Sequence, residues 1–140
     1  MKFFQNEIVL TARKRGFHLV TDEIEKQIPE LQNIRKGIAS ILIKHTSASL
    51  TLNENFDPDV RTDMESYFSK TVKENEPFYL HTSEGSDDMP AHIKSSLIGS
   101  TLSIPITDGS FNLGTWQGIY LCEHRNHGGR RKLVVTLFGE

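Results

Sequence analysis

From Thr101 to Phe138 the chain runs as short apolar stretches broken by turn residues, and this pattern constrains the fold more than any other feature. Thr101 to Ile106 leads to Asp108-Gly109, and a glycine-punctuated stretch then reaches Gly118. Ile119 to His124 leads to His127-Gly128-Gly129, and Lys132 to Phe138 closes the series. Glycine and aspartate tolerate the backbone angles of tight reversals, so these runs predict several antiparallel strands. Upstream, Lys2 to Val20 reads as a β-hairpin turning at Gly16. The run Ile38 to Ile43 is β-branched and largely apolar, which predicts an internal strand buried on both faces, with Ser49 to Leu52 pairing back as a short strand.

Helical signals separate these strands. Thr21 with Asp22 and Glu23 resembles a helix start, and Ile24, Ile28 and Leu31 recur at helical spacing, although Pro29 weakens the segment. Asp57-Pro58 opens a second helix whose apolar stripe is Val60, Met64, Tyr67 and Phe68. Asp87-Asp88-Met89-Pro90 opens a third, with Ile93 and Leu97 as its expected buried face and Gly99 as its end. Strands interrupted by a few helices, without strict βαβ alternation, predict an α+β fold: an antiparallel or mixed sheet packed with helices, in one domain over residues 1–140.

Composition limits what such a domain can do. A chain of 140 residues can bury a core without covalent staples, and its one cysteine, Cys122, excludes an internal disulfide and suits a reducing compartment. The opening MKFFQNEIVLTARKRG holds only short apolar runs, so neither a signal peptide nor a membrane span is expected and the expected location is the cytosol. A formal net charge of -2 gives no general attraction to nucleic-acid phosphates. Arg13-Lys14-Arg15 and Arg130-Arg131-Lys132 are local basic clusters that read as solvated hairpin edges, the second of them adjoining histidines.

Residues able to coordinate or transfer protons collect in three segments: His45 with Asn53, Glu54 and Asn55; Asp87, Asp88 and His92; and Glu123, His124, Arg125 and His127. Asp88 and His92 are four apart on one helix face, a spacing from which carboxylate and imidazole can share an ion; a dipole-stabilised aspartate beside a solvent-facing histidine gives the same pattern. Alternation near residue 120 puts Tyr120, Cys122 and His124 on one strand face, and Cys122 reads as an inert core residue because no CxxC or CxxH accompanies it. Asn53 to Asp57 supports either a polar site or a loop of Asx-turns and a helix cap. The stretch Gly109 to Gly118 is neither a Walker loop nor a dinucleotide fingerprint, and its Trp116 beside Gln117 reads as a ring-stacking platform or as core.

Three long motifs, HTSASLTLNENFDPDVRTD, DDMPAHIKSSLIGSTLSIPI and GTWQGIYLCEHRNHGGRRKLVVTLFGE, resemble the YjbQ family of small uncharacterised proteins over nearly the whole length. The resemblance implies a compact α+β fold, a homotrimer with sites near subunit boundaries, and a secondary thiamine-phosphate synthase activity. That reaction joins a hydroxymethylpyrimidine diphosphate to a thiazole phosphate and releases pyrophosphate. It also implies His45, Asp88, His92, Glu123 and His124 as members of a site.

The resulting expectation is an enzyme in which His45, His92 and His124 hold a divalent ion, zinc or magnesium, with Glu54, Asp88 and Glu123 as catalytic acids. Asn53, Trp116, Gln117, Arg125 and Arg130 would bind a small phosphorylated metabolite. No membrane or nucleic-acid partner is expected. The same residues also suit a metal- or metabolite-binding protein without turnover, or a metal-dependent hydrolase with Glu54 or Glu123 as general base.

Overall fold

Strand pairing in the computed structural model, which describes Met1–Glu140, divides eight strands between two antiparallel sheets. The strands are β1 (Lys2–Leu10), β2 (Gly16–Leu19), β3 (Lys36–Ile43), β4 (Ala48–Glu54), β5 (Thr101–Thr107), β6 (Ser110–Phe111), β7 (Gln117–Glu123) and β8 (Arg131–Gly139). The larger sheet has the order β1-β8-β3-β5-β6 and the smaller β2-β7-β4. Helices α1 (Thr21–Glu25), α2 (Pro58–Thr71) and α3 (Asp88–Ile98), with a 3-10 turn at Pro29–Asn33, complete an α+β fold. No helix is long and apolar enough to cross a membrane.

Strand alternation sorts the layers. Ile8, Ile41, Ile104, Val135 and Leu137 of the larger sheet share one core with Leu50, Ile119 and Leu121 of the smaller. The other face of β7 presents Tyr120 and Cys122, which with Phe17 pack against Met64 and Phe68 of α2 and Ile98 of α3. The expected pairing of Tyr120, Cys122 and His124 on one face therefore holds, and that face lies beneath the helices.

Several local expectations are corrected. β1 and β2 form no hairpin: β1 pairs with β8 and β2 with β7, because the polar link from Thr11 to Arg15 carries the chain from one sheet to the other. β3 is buried on one face only, with Ile38 and Leu42 about 40% exposed, since no helix covers the outer face of the larger sheet. β4 pairs with β7 rather than returning to β3. The segment after Thr21 breaks into α1 and the 3-10 turn at Pro29, although Ile24, Ile28 and Leu31 are all buried.

Helix α2 starts where expected, with Asp57 accepting the Asp59 N–H, and Asp108-Gly109, both at positive φ, close the β5–β6 turn. On α3 the buried face is Asp88, Pro90, Ala91 and Lys94, whereas Leu97 is 64% exposed. The helix lies against β4 through polar groups, and that contact selects the face: Ser95 Oγ donates to the Ala48 carbonyl, and Leu50 N–H donates to Gly99 O.

At one end of the two sheets, β7 and β8 are joined by a buried ion pair. Arg131 Nε donates to Glu123 Oε1 at 2.7 Å and Nη2 to Oε2 at 2.5 Å, and Nη2 also reaches the Ser47 carbonyl and hydroxyl. Arg131→Met would strand a carboxylate in the interior and should cost about 3–5 kcal/mol of unfolding free energy. Urea midpoints check this. Adding Glu123→Met should restore most of the loss, and a double variant as unstable as the single one would show that the pair supplies more than mutual neutralisation.

Candidate metal centre

Asp87 stands at the N-cap position of helix α3 and Asp88 is its first residue, and the segment after β7 supplies the arginine that holds both. Arg125 Nε donates to Asp87 Oδ2 at 3.0 Å, its Nη1 to Asp88 Oδ1 at 2.6 Å, and its Nη2 to the Glu84 carbonyl at 2.9 Å. The Asn126 N–H adds a bond to Asp87 Oδ2. Burial opposes the charge on Asp87 and Asp88. For Asp87 the Asn126 N–H and Arg125 outweigh burial; for Asp88 the His81 hydrogen bond and Arg125 do so, and both carboxyls lie below their ordinary pKa.

The other oxygen of Asp88 faces two imidazoles. His81 Nε2 lies 2.7 Å and His92 Nε2 3.1 Å from Asp88 Oδ2. One ligand atom from each of the three residues falls within 4.8 Å of the others, a set that fits a divalent cation. His92 Nδ1 donates to the Thr46 carbonyl at 2.9 Å, which orients the ring and fixes Nε2 as the nitrogen turned to Asp88. A cleft of about 360 Å³ with His81, Tyr79 and Met89 in its wall opens beside the cluster.

The three sequence segments meet only in part. Asp88, His92 and Arg125 come together, and His81, which no periodicity or motif marked, joins them. His45 does not join that cluster: its Nε2 accepts the Lys132 N–H at 2.8 Å, and burial followed by the Arg131 charge lowers its pKa. His124 is buried under the helices with Nε2 2.8 Å from Ser49 Oγ and Nδ1 without a partner. Burial, then the charge of Lys94, pushes its pKa down to about 3. Glu123 has both oxygens on Arg131, and Arg130 is exposed.

Asn53, Glu54, Trp116 and Gln117 lie at the opposite end of the smaller sheet. The β4–β7 register sets Glu54 against Gln117 at one end and Ala48 against Glu123 at the other. Gln117 Oε1 accepts the Gly114 N–H and Asn53 Oδ1 the Glu54 N–H, so Gln117 braces the loop before β7 and Asn53 the end of β4. Lys94, also unforeseen, is 2% exposed and forms no ion pair; burial lowers its pKa despite Glu65 nearby. Burial raises the Cys122 thiol to about 12, consistent with an inert core residue.

The low pKa of His124 has a consequence for stability. An unfolded His124 takes up a proton near its ordinary value of 6.5, while the folded one resists until about 3. Protons therefore favour unfolding across that window, and stability falls by up to about 1.4 kcal/mol for each unit that pH is lowered. Urea midpoints between about pH 7 and 4 should drop more steeply for the wild type than for His124→Gln. Parallel profiles would remove His124 as the cause.

A family model described as UPF0047 protein YjbQ-like matches residues 6–140. Over 138 residues the chain is 53% identical to the UPF0047 protein YjbQ of Escherichia coli O157:H7, covering 99% of each. It is 39% identical over 136 residues to a UPF0047 protein of Synechocystis, covering 97% of this chain and 92% of that one. Among solved structures, an uncharacterised YjbQ/UPF0047-family protein from Clostridium acetobutylicum superposes with a TM-score of 0.81 at 35% identity, covering 95% of this chain and 99% of that one. A protein of unknown function from Sulfolobus solfataricus shares the fold, with a TM-score of 0.85 at 24% identity and 99% of each chain covered.

Proposed function

We propose, from the premise that this chain belongs to the YjbQ-like UPF0047 family, that it is a divalent-metal-dependent enzyme acting on a small phosphorylated metabolite at His81, Asp88 and His92. The observation that carries this reading is the convergence of two imidazoles and one carboxylate, whose ligand atoms lie within 4.8 Å of one another, with His92 held between two acceptors. Its Nδ1 faces the Thr46 carbonyl and its Nε2 faces Asp88 Oδ2, so a neutral ring has one proton for two acceptors. A second ring proton or a divalent cation between Nε2 and the carboxylate supplies the missing positive charge, and His81 directs another imidazole nitrogen to the same oxygen, the convergence that favours the cation. Two nitrogens and one carboxylate suit zinc better than magnesium, which prefers an all-oxygen shell.

The reaction proposed is the thiamine-phosphate synthase type. The bond between the pyrimidine methylene carbon and the diphosphate oxygen breaks, the thiazole nitrogen bonds to that carbon, and pyrophosphate leaves. A bound divalent ion would neutralise the charge developing on the leaving diphosphate. Arg125, engaged by Asp87, Asp88 and Glu84, acts here as a positioning residue that keeps Asp88 ionised and oriented. The cleft beside His81 has room for a phosphate-bearing compound.

A homotrimer belongs to the same proposal. The uncovered face of the larger sheet carries Phe3 at 70% exposure, with Ile38 and Leu42, a row of apolar side chains that a neighbouring subunit would cover. Ile38→Glu combined with Leu42→Glu should convert the trimer to monomers by light scattering. A trimer that survives both charges, or a wild-type monomer, would refute this use of the face.

Elemental analysis of untagged, chelator-free protein tests the metal. Near-stoichiometric zinc should be present and should be lost in His81→Ala and in His92→Ala, while His124→Gln retains it. Pyrophosphate should appear only when both pyrimidine and thiazole substrates are supplied. Release from one substrate alone would indicate hydrolysis, and a metal-loaded protein without release would be a binding protein. No metal after incubation with zinc would sink the proposal.

A further inference from the structure

Phe56 and Trp116 are 66% and 62% exposed, and their ring centroids lie 5.6 Å apart with planes tilted by 53°. With Glu54, Asp57 and Pro58 they wall a cleft of about 520 Å³. Two large apolar rings set at an angle around an open space expose surface that water solvates poorly, and a ligand in the cleft would cover it.

Charge identifies the ligand class. No lysine or arginine lines the cleft, and neither Glu54 nor Asp57 takes part in an ion pair. Glu54 Oε2 accepts the Asp57 N–H at 3.2 Å and Asp57 Oδ1 the Asp59 N–H at 2.9 Å, which leaves one oxygen of each carboxylate without a protein partner. The N-terminus of α2 contributes about half a positive charge. Against two formal negative charges the field in the cleft stays negative. An anion is therefore disfavoured, and the aromatic faces, negative by their quadrupole, add attraction for a cation. A strongly hydrated inorganic ion gains little from such rings, whereas an alkylated ammonium sheds its water readily and packs its methyl groups against them.

We propose that the Phe56–Trp116 cleft binds a small organic cation of the alkylammonium class, held between the two rings with Glu54 and Asp57 as counter-charges. The cleft lies at the Gln117 end of β7 and the metal centre beyond its Glu123 end, so within one chain the proposal is independent of the metal.

Trp116 is the sole tryptophan, so its emission reports on this cleft. Choline chloride titrated at constant ionic strength should change that emission saturably. Its neutral isostere 3,3-dimethylbutan-1-ol should bind more weakly, as should the cation to Glu54→Gln and to Phe56→Leu, each by about three- to tenfold. Circular dichroism verifies that both variants are folded. A linear, non-saturating response overturns the proposal. Equal binding of the neutral isostere, or affinity unchanged in both variants, overturns it as well, because either would reduce the cleft to a patch of exposed apolar surface.

Discussion

The Glu123–Arg131 pair is the interaction on which the rest of the site end depends. Glu123 is the last residue of β7 and Arg131 the first of β8, and these strands belong to different sheets. A bidentate, buried contact therefore fixes how the two sheets meet. The same carboxylate accepts the Arg125 N–H at 3.1 Å, and Arg131 reaches the segment that leads into β4 through Ser47. Gly128 in the connecting turn lies so close that a Cβ there would meet Glu123 Oε1 at 2.4 Å, so a side chain at this point would displace the carboxylate.

From that anchor the second ion pair follows. Because Glu123 holds the Arg125 backbone, the guanidinium can project onto the first turn of α3 and neutralise Asp87 and Asp88 together. Desolvation alone would drive those carboxyls toward the neutral form; the cation and the convergent donors keep them charged. Asp88 then has one oxygen committed to Arg125 and one turned to His81 and His92, which is the orientation the proposed metal site requires.

Much of this was legible in the sequence, and the failures share a physical cause. Turn chemistry at Asp108-Gly109, the helix starts at Asp57 and Asp88, and the alternation of Tyr120, Cys122 and His124 are local properties, which a single segment encodes. Pairing partners are not: the alternation in β1 says which side chains face inward but leaves open whether β2 or β8 lies beside it. Asp88 and His92 share a helix face by geometry and could be paired in advance. His81 sits in an irregular segment, and nothing in its neighbourhood reveals that the chain folds back onto α3. Apolar count on α3 favours Ile93 and Leu97 as its buried face, while contact with β4 selects the side bearing Ser95 and Lys94.

Strand β7 also limits what one chain can do. Its seven residues span about 23 Å, with the exposed aromatic cleft at one end and the His81–Asp88–His92 cluster beyond the other. A small metabolite cannot touch both within a single chain. The two ends differ in electrostatic character as well: the acids near the His81–Asp88–His92 cluster are held by arginine, whereas Glu54 and Asp57 are left without a cationic partner. Chemistry that needs a ring platform and a metal on one substrate therefore requires a neighbouring chain to bring its aromatic end to this chain's histidine end. Without that juxtaposition the proposed metal centre and the proposed cation cleft remain separate sites at opposite ends of one strand.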